Sequence, residues 1–144
     1  YVQIANLLCP GNIAISGHTA AVEAAELASV EAGAMKAVRL QVAGAFHTPL
    51  MEPAVSKLQA ALAKVQFQPT RVPVYSNVDA APHTEPKEFI ELLSRQVVSP
   101  VQWEATMKNL VASGVDQFIE IGAGRVLAGT LKRVDRKANC ENVS

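Results

Sequence analysis

The side chains in this sequence that could carry acid–base or nucleophilic chemistry are three histidines, two cysteines and a scatter of serines. Imidazole titrates near neutrality without assistance, so the histidines come first. His18 directly precedes a helix-forming run. The positive end of a helix dipole disfavours imidazolium there, and the position predicts a capping or spacer role. His83 lies in the hydrophilic stretch Ala80-Ala81-Pro82-His83-Thr84-Glu85 with no companion and reads as solvated. His47 differs: it stands on the small-residue loop Ala43-Gly44-Ala45-Phe46-His47-Thr48-Pro49, between an expected strand and an expected helix. Loops at such junctions are the usual address of catalytic groups in α/β folds. Residue type and place alone leave a structural role for His47 equally open.

Nucleophiles are harder to find. No serine sits in Gly-x-Ser-x-Gly, the sharp turn that exposes a hydrolase nucleophile. The nearest triad within the chain, Ser76, His47 and Asp79, is supported by residue type alone. Nothing around Cys9 or Cys140 lowers a thiol pKa, and there is neither a Cys-x-x-Cys pair nor histidine at metal-ligand spacing. The sequence therefore predicts no metal site and no disulfide framework, and two unpaired cysteines fit a reducing cytoplasm. The turn Gly122-Ala123-Gly124 before an expected helix could bring backbone amides against a phosphate. A dinucleotide fingerprint needs a small residue two positions on, where Val126-Leu127 stand, so a tight strand-to-helix turn is the favoured reading.

The elements that must position these groups follow from composition and periodicity. A chain of 144 residues sets a prior of about one domain, and 49% hydrophobic against 18% charged residues is a globular balance. Thirteen basic and thirteen acidic side chains cancel, leaving no bulk field for nucleic acid or an anionic membrane. No apolar run approaches the ~18 residues that span a bilayer.

Tyr1–Leu8 and Asn12–Gly17 read as strands of a hairpin turned by Cys9-Pro10-Gly11. Thr19 to about Ala32 reads as a helix with Thr19 as N-cap and Gly33 closing it. Lys36–Val42 alternates like a half-buried strand, so the opening segment spells β-β-α-β. A helix follows, with Met51, Val55, Leu58, Leu62 and Val65 on one face. Pro53 means that either its first turn is distorted or the regular helix begins near Glu52. Arg71–Ser76 reads as a short strand, and Thr84 as the cap of a helix that Ser99-Pro100 stops near Val97 or Val98. Trp103–Val111 forms the next helix, Asp116–Ile121 a strand and Val126–Val134 the last helix. The polar stretch from Asp135 to Ser144 is expected to fray.

Five motifs in order resemble the malonyl-CoA:acyl carrier protein transacylases, the malonyltransferases of bacterial fatty acid synthesis. They are Cys9-Pro10-Gly11-Asn12 with Ile15-Ser16-Gly17-His18; Gly44-Ala45-Phe46-His47-Thr48-Pro49-Leu50-Met51; Ser76-Asn77-Val78-Asp79-Ala80; Arg95-Gln96 with Ser99-Pro100-Val101-Gln102-Trp103; and Glu120-Ile121-Gly122-Ala123-Gly124-Arg125-Val126-Leu127. The resemblance runs from Tyr1 to about Arg136 and matches the C-terminal half of that family. The family's Gly-His-Ser-Leu-Gly nucleophile and its carboxylate-binding arginine are expected upstream of these residues.

The resemblance implies an α/β fold: part of an α/β-hydrolase-like acyltransferase core plus the β-β-α-β remainder of an inserted ferredoxin-like subdomain. Residues 1–42 would belong to the subdomain, 43–136 to the core, and 137–144 to a polar tail. His47 would be the general base for the upstream serine, and Phe46 would narrow the pocket around the malonyl α-carbon. Gln96 would accept a hydrogen bond from His47 on its main-chain carbonyl. That assignment is physically sensible, because a helix stopped by Ser99-Pro100 leaves its last carbonyls without intrahelical donors. Such a carbonyl can hold Nδ1–H and leave Nε2 free to take the serine proton. Asn6 keeps a possible role at the cleft, although Leu8 and Cys9 depart from the family's Asn-x-Asn-Ser-Pro-Gly; Ala123 replaces the common proline of Gly-Pro-Gly.

The implied reaction is ping-pong malonyl transfer from malonyl-CoA to the phosphopantetheine thiol of holo acyl carrier protein, without metal or redox cofactor. A different class remains open: a noncatalytic acyl-carrier or partner-binding module that kept the half-fold. The 144 residues alone are expected to leave sheet edges and apolar faces uncovered.

Overall fold

The computed structural model describes all residues from Tyr1 to Ser144. Strands β1 (Val2–Cys9) and β2 (Asn12–Gly17) form the expected antiparallel hairpin, with Cys9 facing Asn12 across Pro10-Gly11. Proline followed by a glycine at φ +72° is the pairing a type II turn requires. A register shift between Ile4 and Asn6 bulges β1 and turns the strand toward the segment after Pro100. There Val101 N–H donates to Ala5 O (2.8 Å) and Leu7 N–H to Val101 O (2.9 Å).

Helix α1 (Thr19–Glu31) follows, with His18 in the N-cap position rather than Thr19, and no side-chain cap bond. The expected strand Lys36–Val42 makes no ladder with β1 or β2, so the opening segment is β-β-α followed by an unpaired stretch. Its residues alternate correctly, but a strand needs a hydrogen-bonding neighbour, and none of these 144 residues supplies one. Arg39 ties the stretch to α1 through Glu26 (2.8 Å) and Glu23 (3.1 Å). The hydrogen bonds to Glu26 and then Glu23 raise the guanidinium pKa above its ordinary value.

After the His47 loop comes one 3₁₀ turn, Pro49–Met51, and then α2 (Glu52–Leu62). Of the two readings of Pro53, the start near Glu52 is the one observed. Strand β3 shrinks to Val74–Tyr75 and pairs with β4 (Pro82–His83), a hairpin hidden in what reads as a polar loop. Helix α3 (Pro86–Gln96) has Glu85 as N-cap rather than Thr84, with Pro86 as the first helical residue. It packs against α2, with Phe89 stacked on Phe67 at 6.2 Å between ring centroids.

Helix α4 (Trp103–Ala112), β5 (Gln117–Ile121), α5 (Val126–Val134) and β6 (Asn139–Val143) complete the chain. The last of these corrects the expected frayed tail: β6 pairs with β5 in parallel, from Gln117↔Asn139 to Ile121↔Val143. β5-α5-β6 is thus a parallel crossover unit that reaches residue 143. Cys140 and Asn142 are the half-buried alternate residues of β6, and Asn142 Nδ2 donates to Gly122 O (3.1 Å).

The core is one small cluster, Met107, Leu131 and Ala138, with Trp103, Leu110, Val111, Phe118, Val134 and Cys140 packed around it. A compact monomer of this mass exposes about 7,100 Å²; this chain exposes 9682 Å². Apolar side chains are among those exposed, with Ile119 64% and Ile121 85% exposed on β5. No helix is long and apolar enough to cross a membrane.

Candidate functional site

The site is built where β1, the 43–48 loop and the end of α3 meet. α3 ends because Pro100 has no N–H: the carbonyl four residues earlier, that of Gln96, has no intrahelical donor available. The next carbonyl, Val97 O, would look to Val101 N–H, but that donor is engaged by Ala5 O of β1. Two adjacent carbonyls are therefore left pointing off the helix end, and His47 takes both. Its backbone N–H donates to Val97 O (3.0 Å), and its Nδ1 lies 2.8 Å from Gln96 O. A carbonyl can only accept, so Nδ1 carries the proton and Nε2 presents a lone pair.

The backbone of His47 lies at φ +63°, the left-handed region that side chains other than glycine rarely adopt. Two neighbours hold it there. Thr48, fully buried, donates from Oγ1 to Ala45 O (2.7 Å) and accepts from Leu50 N–H (3.2 Å), closing the loop onto the 3₁₀ turn. On the other side Gln3 of β1 donates from Nε2 to His47 O (2.7 Å). The Gln96 side chain is steadied in turn by Asn77 Nδ2 (3.3 Å), and Asn77 O receives Gln102 N–H (2.7 Å). The distinction of the site is geometric.

Phe46 is 45% exposed beside His47. Gly44 lies against Phe46 and Met51: a Cβ built there would come 3.7 Å from the Phe46 ring and 3.4 Å from Met51 Sδ, ordinary contact distances. Asn6 lies on β1 just after the bulge, bridged through its backbone to Val101, and its side chain makes no hydrogen bond to His47 or Gln96. The structure thus brings His47 and Gln96 together, with Phe46 next to His47 in the chain, and leaves Asn6 on β1 without a hydrogen bond to them. Gln3, Asn77 and Val97 are the supporting residues that sequence reasoning missed; their contacts with the site are long-range, and only the proline at position 100 offered a signal for the free carbonyls.

The other candidates separate cleanly. His83 is not solvated and alone: its ring lies between Asp79 (3.1 Å), in the β3–β4 turn, and Glu88 (3.3 Å), in the first turn of α3. His18 does not cap α1 with its side chain; Nδ1 lies 3.3 Å from the Tyr1 amino group. Two amides at the start of α5, after the Gly122–Gly124 turn, are already filled. Glu120, 9% exposed, accepts from Leu127 N–H and Ala128 N–H at 3.0 Å each. No group of acidic, histidine and cysteine side chains is arranged to hold a metal ion.

Fold and site together define a class: an α/β protein presenting an imidazole oriented by a main-chain carbonyl rather than by a carboxylate. Residues 1–143 match the acyl transferase domain family, and the chain belongs to that family. It is 46% identical over 143 residues to the malonyl CoA-acyl carrier protein transacylase of Bacillus subtilis, covering 99% of this chain and 45% of that protein. The enzyme of the same name in Escherichia coli is 41% identical over 133 residues, covering 92% of this chain and 43% of the relative. Among solved structures, an acyl carrier protein S-malonyltransferase from Vibrio cholerae superposes with a TM-score of 0.94 at 37% identity, covering 99% of this chain and 47% of that one. A complex of a type II PKS acyl-carrier protein with its malonyl-transacylase gives 0.95 at 36% identity, covering 99% and 46%. The chain therefore spans somewhat under half the length of the relatives it matches.

Proposed function

We propose that this chain is the base-bearing portion of a cytoplasmic enzyme that moves malonyl from malonyl-CoA to the phosphopantetheine thiol of holo acyl carrier protein, as in fatty acid synthesis. In this reading residues 1–42 belong to a ferredoxin-like subdomain inserted in an α/β-hydrolase-like core that begins at residue 43 and includes β6. The nucleophilic serine lies outside these residues. His47 Nε2 removes the serine proton as the hydroxyl attacks the thioester carbonyl, and returns it to the departing CoA thiolate. The carrier thiol then attacks the malonyl-serine ester, losing its proton to the same nitrogen, and the serine leaves with that proton. Gln96 O fixes the tautomer that makes Nε2 the acceptor, Phe46 narrows the space around the malonyl α-carbon, and Asn6 flanks the cleft.

The observation that carries this reading is the 2.8 Å contact between His47 Nδ1 and Gln96 O. A thiolate leaves readily, its conjugate acid having a pKa of about 8.5, so a main-chain oxygen suffices where an amide leaving group would demand more help. The names of the relatives, all malonyl transacylases, support the substrate pair. The test is His47→Ala in the polypeptide that joins this chain to the proposed serine, with malonyl transfer to holo carrier protein as the assay. The rate is expected to fall by about 10²–10⁴. An undiminished rate ends the general-base assignment, and carrier-protein binding with no transfer even before mutation returns the binding-module reading.

A further inference from the structure

We propose that Gln3 is a positioning residue for the reacting imidazole, an inference that rests on His47 being the general base. Gln3 stands on β1, 44 residues before His47, and its Nε2 donates to the His47 carbonyl at 2.7 Å. The acceptor is a carbonyl oxygen, so the amide nitrogen must face it. The other end of the Gln3 amide is fixed too, because Tyr1 hydroxyl donates to Gln3 Oε1. The amide is thereby held in one orientation between two partners.

What Gln3 holds is unusual backbone. His47 sits at φ +63° with its N–H on Val97 O and its Nδ1 on Gln96 O, both on the same side at the end of α3. Rotation about the His47 N–Cα bond, from +63° back to the ordinary negative region, would carry the carbonyl and Cβ together and swing the ring off Gln96 O; the bond to the carbonyl, with Thr48 closing the loop, opposes that rotation. Gln3 is the only side chain that hydrogen-bonds that carbonyl. By holding the carbonyl it helps keep φ at +63°, and with it the direction in which Cβ and the ring point. β1 is itself stitched to the segment after α3 through Ala5, Leu7 and Val101, so one strand references both halves of the clamp.

Gln3→Glu tests this best, since it keeps the side chain's shape and removes the donor. In the polypeptide carrying the proposed serine, kcat for malonyl transfer is expected to fall about tenfold, while KM for malonyl-CoA stays within about twofold. The hydrogen-bonded Nδ1–H resonance of His47 should broaden by solvent exchange. The indole N–H of Trp103, which donates to Thr130 Oγ1 at 2.9 Å, should stay unmoved and report an intact fold. Tyr1→Phe frees the amide to turn without deleting it and should give a smaller fall in kcat of the same kind. Full kcat with an intact His47 resonance in both variants overturns the proposal. So does a loss in which the Trp103 resonance moves as well, which would mark a general effect on folding. Should His47→Ala retain activity, the general-base reading itself fails; should His47→Ala be inactive while Gln3→Glu is normal, only the role of Gln3 fails.

Discussion

Replacing Glu120 by alanine removes the one side chain that caps α5, and the structure sets the size of the effect. The carboxylate accepts from Leu127 N–H and Ala128 N–H, both at 3.0 Å, and these are the second and third residues of the helix. They are donors that no intrahelical carbonyl can reach. Orphaning a buried amide costs ~1–3 kcal/mol. Here the helix start is open to water, with Val126 73% and Leu127 44% exposed, so solvent can re-bond the amides and the lower end applies. Two such amides give about 2 kcal/mol for Glu120→Ala. Glu120→Gln keeps one acceptor oxygen but turns an NH₂ toward the other amide and loses the favourable charge at the helix N-terminus, for roughly 1 kcal/mol. Denaturant melts read the total, and amide hydrogen exchange at Leu127 and Ala128 reads the same bonds locally. An unchanged midpoint together with unchanged exchange at those two amides would refute the capping argument and reopen the turn Gly122–Gly124 as an anion site.

Two other changes follow from the fold. Deleting residues 138–144 removes β6, the buried Ala138 and the cover Cys140 gives the core, and should cost at least about 3 kcal/mol by denaturant midpoint; a frayed tail would leave the midpoint where it was. Gly17→Ala places a methyl 2.2 Å from Tyr1 O and 2.6 Å from Val2 Cα, so the start of β1 must shift. Overpacking of that kind costs ~1–3 kcal/mol, and a variant as stable as the parent would show that the strand end moves freely.

How far these features were legible depended on whether one residue or a pair of residues carried the signal. Type and place leave His47 even between a structural and a functional role; its role and that of Gln96 come from the resemblance, with Pro100 as the local fact that makes a free carbonyl at Gln96 sensible. The stretch Lys36–Val42 carries the alternation of a strand but has no ladder, because pattern belongs to one segment and pairing to two. β6 shows the reverse: Asn-Cys-Glu-Asn-Val is polar enough to read as a tail, yet β5 offers it a parallel edge and the core accepts Cys140. The β3–β4 hairpin was hidden in the same way, and the carboxylates around His83, only four and five residues off, needed its turn geometry to bring them to the ring. Gln3 looks like any half-buried strand residue until the loop that carries His47 is laid beside it.

Backbone strain helps to sort these contacts, though strain alone does not mark a reactive residue. Two non-glycine residues have positive φ, His47 at 63° and Ala80 at 57°, each a conformation costing roughly 1–2 kcal/mol. Ala80 is held by Ser76 O on its N–H (3.0 Å) and by Asn109 Nδ2 on its carbonyl (2.9 Å). That arrangement closes a tight turn, and the methyl side chain offers no chemistry. His47 is held by Val97 O, Gln96 O and Gln3 Nε2, one bond more, and the additional bond goes to the ring. At about 0.5–1.5 kcal/mol net per bond, three bonds outweigh the strain at His47, whereas two roughly match it at Ala80. A glycine at position 47 would relieve the strain but could not supply an imidazole. A histidine in this conformation, with one ring nitrogen fixed and the other left free, fits a requirement placed on the side chain rather than on the turn.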